Sequence, residues 1–238
     1  MTHAVQARPN VLASWHVDMD EASPPDSAGG SSHSLLALRH ALADPLSSIA
    51  LKLDLIERRL QTPAGADPSW LMERARAAQG DVVTANRLLA LLVRLAEIAA
   101  EPPRMTTVDA VCRAAAVALP SPATALPRLT IRPRAAAEAI QNVASFAAAG
   151  NGETARTARA SFEDGRVVLA IEGPRVTADG RPERLLDLPH GVPDAEPLFV
   201  ARAAVEADGG RLELTESSGS LVALFSWPAA ASNRSGVP

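Results

Sequence analysis

Residues 34–60 read SLLALRHALADPLSSIALKLDLIERRL, in which Leu35, Leu38, Leu42, Leu46, Ile49, Leu53, Ile56 and Leu60 follow one another at intervals of three or four. Side chains so spaced share one face of an α-helix, so the stretch predicts a helical seam about eight turns long. The turn that follows, Thr62-Pro-Ala-Gly-Ala-Asp-Pro68, cannot continue a helix; Asp67 is a natural N-cap and Pro68 fits a first helical position. A second helix then runs on Leu71, Ala75, Ala78, Val82, Ala85, Leu89 and Leu92 and stops at Pro102-Pro103. Two long helices joined by a short loop make an antiparallel hairpin, and each buries one stripe. Leu51, Leu55, Leu88, Leu91 and Leu95 widen the apolar face. A homodimer whose hairpins form a four-helix bundle would cover it; packing of the hairpin on its own C-terminal domain is the alternative.

Outward from the hairpin the texture changes. Residues 1–30 mix Pro, Ser, Gly and Asp without periodicity, which reads as a flexible leader. Beyond Pro103 the pattern predicts a helix over 108–119, a short strand over 128–131 and a helix over 134–149. Strands over 154–162 and 166–172 flank the turn Glu163-Asp-Gly165. A helix over 196–208 closes at Gly209-Gly210, and strands over 211–215 and 220–227 flank Glu216-Ser-Ser-Gly219. The expected fold is therefore α+β: a helical hairpin over residues 31–102, then an α/β sandwich over 103–228 with helices on one face of a mostly antiparallel sheet, then a tail over 229–238.

Bulk composition removes several function classes. A net charge of −4 and a pI near 5.8 give no reason to expect nucleic acid as a partner. The single cysteine, Cys112, excludes a disulfide framework and a cysteine metal site and suggests a reducing compartment. No run approaches the roughly 18 apolar residues of a membrane span, and a signal-peptide layout is missing, so a cytoplasmic protein without a membrane partner is expected. His3, His16, His33, His40 and His190 lack ligand spacing, so no metal site is expected either. Glu206, Asp208 and Glu213 read as solvated faces or strand ends rather than a catalytic carboxylate pair.

His40 stands out on the first helix. Lying two residues from both Leu38 and Leu42, it falls near the side opposite the seam, facing solvent. Pro45 lacks an N–H and crowds the Ala41 carbonyl, so the helix should loosen or bend beside it. An exposed neutral imidazole is a competent nucleophile toward phosphorus near neutral pH.

The run His40-Ala-Leu-Ala-Asp-Pro-Leu46 resembles the H-box of two-component histidine kinases, where a phosphoacceptor histidine is followed by Pro at plus five and Leu at plus six inside a dimerisation and phosphotransfer hairpin. The resemblance implies that His40 is the phosphoacceptor, supported by Asp44 and Pro45, and that a response-regulator receiver domain docks on the hairpin; helix geometry makes Ser47, Ser48, Leu51 and Leu55, below His40, its candidate contacts. Two positions depart from the family. Ala41 has no carboxylate to take up a proton during attack on ATP, which counts against autophosphorylation. Asp44 stands where Asn or Thr is common, which leaves phosphatase behaviour open.

Farther on, Ala201-Arg-Ala-Ala-Val-Glu-Ala-Asp-Gly-Gly-Arg-Leu-Glu-Leu214 resembles the helix, double glycine and strand that end the family's ATP-binding domain. The binding motifs of that domain are replaced. Ala195 and Pro197 fall in the glycine-rich lid, where backbone N–H groups normally approach phosphate, and Glu196 between them would repel it. Ile171 takes the place of the adenine-reading Asp, followed by Gly173 and then Arg175 for the second glycine of that box. Asn142 matches the first asparagine of the N-box, but the magnesium-ligating second one is Phe146. By this resemblance the chain binds no nucleotide cofactor and works as a dimeric histidine phosphotransferase, relaying phosphoryl groups between receiver aspartates through His40. Two further readings are a divergent active histidine kinase and a pseudokinase scaffold that binds a response regulator or a kinase.

Overall fold

Asp67 accepts a hydrogen bond from the Ser69 backbone N–H at 3.0 Å, and Pro68 opens helix α2 (Pro68–Ala100) as the turn chemistry requires. Its partner is α1 (Gly29–Leu60). The computed structural model describes residues 29–62, 67–120, 126–148, 157–174, 181–187, 195–217 and 219–230, apart from the side chains of 29–34 and 157. The expected leader lies outside these residues except for Gly29 and Gly30, which are already helical. Once nucleated, a helix gains a hydrogen bond per added residue, so it runs upstream of its apolar seam.

After α2 come β1 (Arg104–Thr106), α3 (Val108–Ala114), β2 (Leu129–Ile131), α4 (Pro133–Ala148), β3 (Thr157–Glu163), β4 (Arg166–Gly173), a 3-10 turn (Pro182–Leu186), α5 (Glu196–Glu206), β5 (Arg211–Ser217) and β6 (Ser220–Pro228). The result is an α+β fold: helices cover one face of a four-stranded antiparallel sheet ordered β3-β4-β6-β5. Along β6, Leu221, Ala223, Phe225 and Trp227 are buried in alternation, and Val167, Leu169 and Ile171 do the same along β4. Against them pack Ile140, Val143 and Ala147 of α4 and Leu198, Ala201 and Val205 of α5. The turn between β3 and β4 is Asp164-Gly165 with φ of 49° and 76°, the left-handed pair that a two-residue hairpin needs.

Several expectations need correction. Helix α3 ends at Ala114 rather than 119, because Ala116 adopts φ 57° while the Val117 N–H bonds back to the Cys112 carbonyl. That is a Schellman cap without its usual glycine. Strand β1 was not expected; it pairs with β2 in a two-stranded ribbon, and three residues are too few to show alternation. The 3-10 turn was not expected either. Asp208 is not a solvated residue: its carboxylate is buried, accepting the Arg132 backbone N–H at 2.8 Å and Arg132 Nη1 at 2.6 Å. Burial pushes that carboxyl above its usual range although Arg132 opposes the shift. Ala229 and Ala230, expected in the tail, are tied to the body: the Ala229 N–H bonds to the Gly165 carbonyl and the Ala230 N–H to the Arg128 carbonyl. Residues 231–238 lie outside the described residues.

The hairpin seam divides in two. Near the C-terminal body, Leu38, Leu88, Leu91, Leu95 and Ile98 are buried in one core with α4 and α5, so packing of the hairpin on its own chain holds at that end. Toward the far end, Leu51, Leu53, Leu60, Met72, Val82 and Val83 are exposed.

Candidate functional site

At about 100° per residue, His40, Ser47 and Leu51 fall within about 20° of one line along α1, with Asp44 about 40° and Leu55 about 60° away. His40, Asp44, Ser47, Leu51 and Leu55 are all exposed. Pro45 is buried inside an unbroken α1, and its missing N–H leaves the Ala41 carbonyl without its helical donor. Ser48 turns away from the strip: it is half-buried, and its hydroxyl bonds to the Asp81 carboxylate of α2.

Lys52 completes that contact. Its Nζ lies 2.5 Å from Asp81 Oδ2 and 3.4 Å from the Ala77 carbonyl, tying α1 to α2. Lys52 and Ser48 together hold the Asp81 carboxyl below its ordinary range. Sequence reasoning passed over Lys52. The signal was present, since Ser48, Lys52 and Ile56 recur every four residues on the flank that meets α2.

A second set of polar contacts joins α2 to the C-terminal body. Arg94 Nε donates to Glu138 Oε1 of α4 at 3.0 Å, and its other nitrogens pair with Glu138 and Glu97. Glu101, just past α2, accepts the backbone N–H groups of Arg134 and Ala135 at 2.9 Å each, so it caps the first turn of α4. Arg87 pairs with Glu196, the first residue of α5.

Among the positions matched to nucleotide-binding motifs, Phe146, Ile171, Gly173 and Ala195 are buried, whereas Asn142 is half-buried and Pro197 exposed. Phe146 is 6% exposed and Ile171 1%, both within the continuous apolar cluster of the body. Ala195 is also buried. Gly173 lies so close to α4 that a Cβ there would stand 2.5 Å from the Ala147 carbonyl oxygen, so its glycine serves packing. Asn142 donates weakly to the Pro197 carbonyl, at 3.5 Å. Arg175 lies outside the described residues. Mg-ATP needs a carboxylate for its base, oxygen ligands for its metal and N–H donors for its phosphates; Ile171, Phe146 and Pro197 offer none of these. The described residues at these positions do not fit the group.

Other chemistry finds little footing. The buried Cys112 thiol is pushed up to about 12 by desolvation and by nearby Asp109, which leaves it a poor nucleophile. Among the described residues, no three His, Cys, Asp or Glu side chains stand close enough to hold a metal. Nor is any described helix long and apolar enough to cross a membrane.

No family model matches the chain, and no curated protein does. Among solved structures, the Acinetobacter baumannii histidine kinase AdeS aligns over 80% of this chain and 98% of its own at 14% identity, with a TM-score of 0.45. The histidine kinase domain of the E. coli osmosensor EnvZ aligns over 58% of this chain and 95% of its own at 19% identity, with a TM-score of 0.41. Full-length ShkA, in complex with AMPPNP, aligns over 78% of this chain and 46% of its own at 18% identity, with a TM-score of 0.45.

Proposed function

We propose that the chain is a histidine phosphotransfer protein that accepts a phosphoryl group from a phosphorylated receiver domain onto His40 and passes it to another receiver. One contrast carries this reading. His40 is exposed on an open strip of α1, whereas Phe146 and Ile171, which match nucleotide-binding positions, are buried in apolar core. In the transfer an imidazole nitrogen attacks phosphorus, a P–N bond forms, and the P–O bond to the receiver aspartate breaks as its carboxylate leaves. The receiver brings its own acidic pocket and divalent ion, so this chain contributes only the nucleophile and the surface that presents it. Asp44, Ser47, Leu51 and Leu55, on the same side of α1, form that surface. Ser48 supports it from behind through Asp81. The exposed leucines and valines at the far end of the hairpin are the face on which a second copy would complete a four-helix bundle.

The test incubates the protein with a panel of receiver domains phosphorylated by a small-molecule phosphodonor and, separately, with labelled ATP and magnesium. Label taken from a receiver and lost in His40→Ala is the expected result. Label taken from ATP would restore an active kinase, and label from neither source would leave a scaffold.

A further inference from the structure

The first residue of α5 is an acid held by a base on the hairpin. Counting 1.5 Å of rise per residue from the Ser48–Asp81 and Lys52–Asp81 ties brings Arg87 within about one turn of Asp44, beside the turn that carries His40. Glu196 therefore anchors α5 on the hairpin at the level of that turn. The anchor is not isolated. Leu38, Ala41 and Leu42 of α1 pack against the same core as α5, and Arg94 of α2 and Glu101 just past it hold α4. Hairpin and body thus meet along α2 through apolar core and three polar contacts spread over Arg87, Arg94 and Glu101.

We propose that Arg87 and Glu196 form a latch that fixes the C-terminal body against the hairpin and turns the position of a nucleotide lid into a structural clasp. This deepens the phosphotransfer reading above and rests on it for its consequence. With the body latched on the face of α1 that carries Leu38 and Leu42, the strip of His40 on the opposite side stays open, and receivers approach there. Arg87 and Glu196 are positioning residues; neither touches the reacting atoms. The pair is half-buried, with side chains 36% and 26% exposed, so reversing one charge sets like charges together where water screens them incompletely.

The test measures the distance between hairpin and body. Spin labels are placed at Gln79→Cys on α2 and Thr215→Cys on β5, both exposed, in a Cys112→Ala background. Labelled chain is diluted into excess unlabelled chain so that only distances within one chain are read. A single narrow distance peak is expected, broadened in Glu196→Arg and narrow again in the swap Arg87→Glu with Glu196→Arg. If the labelled chain does not fold, hydrogen exchange of the wild-type background carries the same comparison: protection of the α5 amides from Val200 to Ala204, which bond within the helix, falls at least tenfold in Glu196→Arg and returns in the swap. A broad distribution in the parent overturns the latch, as does a narrow peak or full protection that survives Glu196→Arg. Because neither readout involves phosphate, a latched protein that takes no label from any receiver would sink the phosphotransfer reading and leave the latch standing.

Discussion

Replacing Ile171 with aspartate restores a carboxylate where the resemblance places one and asks whether the site can still use it. Ile171 is 1% exposed in the centre of the sheet, paired with Ala158 on β3 and Ala223 on β6. Removing its buried side chain costs about 3 kcal/mol. Burying a carboxyl with no hydrogen-bond partner adds at least about 2 kcal/mol. The sum, near 5 kcal/mol, approaches the whole stability of an ordinary domain, about 5–15 kcal/mol. The assay is urea unfolding followed by far-UV circular dichroism and by fluorescence of the buried Trp227, with Trp15 and Trp70 replaced by phenylalanine. A buried aspartate favours its neutral form, so its folded pKa is raised; the penalty should shrink as pH falls below that raised value and be full at neutral pH. Millimolar Mg-ATP should shift neither protein. A ligand present at a hundred times its Kd would add about 2.7 kcal/mol, an easily seen change. A loss under about 1 kcal/mol, or a midpoint that moves with Mg-ATP, would refute the closed-site reasoning.

Gly173→Ala should cost roughly 1–3 kcal/mol in thermal or urea unfolding, because the added methyl meets the α4 backbone; a neutral result would mean that α4 and β4 do not approach as closely as described. The Asp81 carboxyl lies below its ordinary range, so its contribution to stability is present above the unfolded value of 3.8 and lost as pH falls through the folded one. Asp81→Asn should therefore flatten the acid limb of the stability profile, and an unchanged limb would remove Asp81 from the hairpin tie. Glu101→Ala should destabilise by about 1 kcal/mol, the worth of a helix cap, and should lower hydrogen-exchange protection at Arg134 and Ala135. Protection lost elsewhere but kept at those two amides would argue against the cap.

Local chemistry written in neighbouring residues was legible in the sequence. Asp67-Pro68 fixed the start of α2, Asp164-Gly165 the hairpin turn, and Gly209-Gly210 the end of α5, where Gly209 has φ 68° and the Gly210 N–H returns to the Val205 carbonyl. Lys52 apart, what escaped lacked a signal of its own. Ala116 caps α3 in the left-handed region, a task the eye assigns to glycine, so the helix read too long. The seam of α1 gave the helix but not its burial, since Leu38 faces the body while Leu46, with the same spacing, faces solvent. Contacts between distant segments were invisible for the same reason. Arg87–Glu196 and Glu101 on α4 depend on where the body sits, and periodicity does not encode that. His40 was the reverse case, because its exposure followed directly from its angle to Leu38 and Leu42 and is found in the fold.

The most direct measurement is to locate phosphate on the chain by mass spectrometry under conditions that preserve phosphoramidates, after mixing it with phosphorylated receiver domains in the absence of ATP. The account predicts one modified peptide, the one carrying His40, with the modification gone in His40→Ala and not formed from Mg-ATP alone. Phosphate on another residue, or on His40 only when Mg-ATP is the donor, would contradict it.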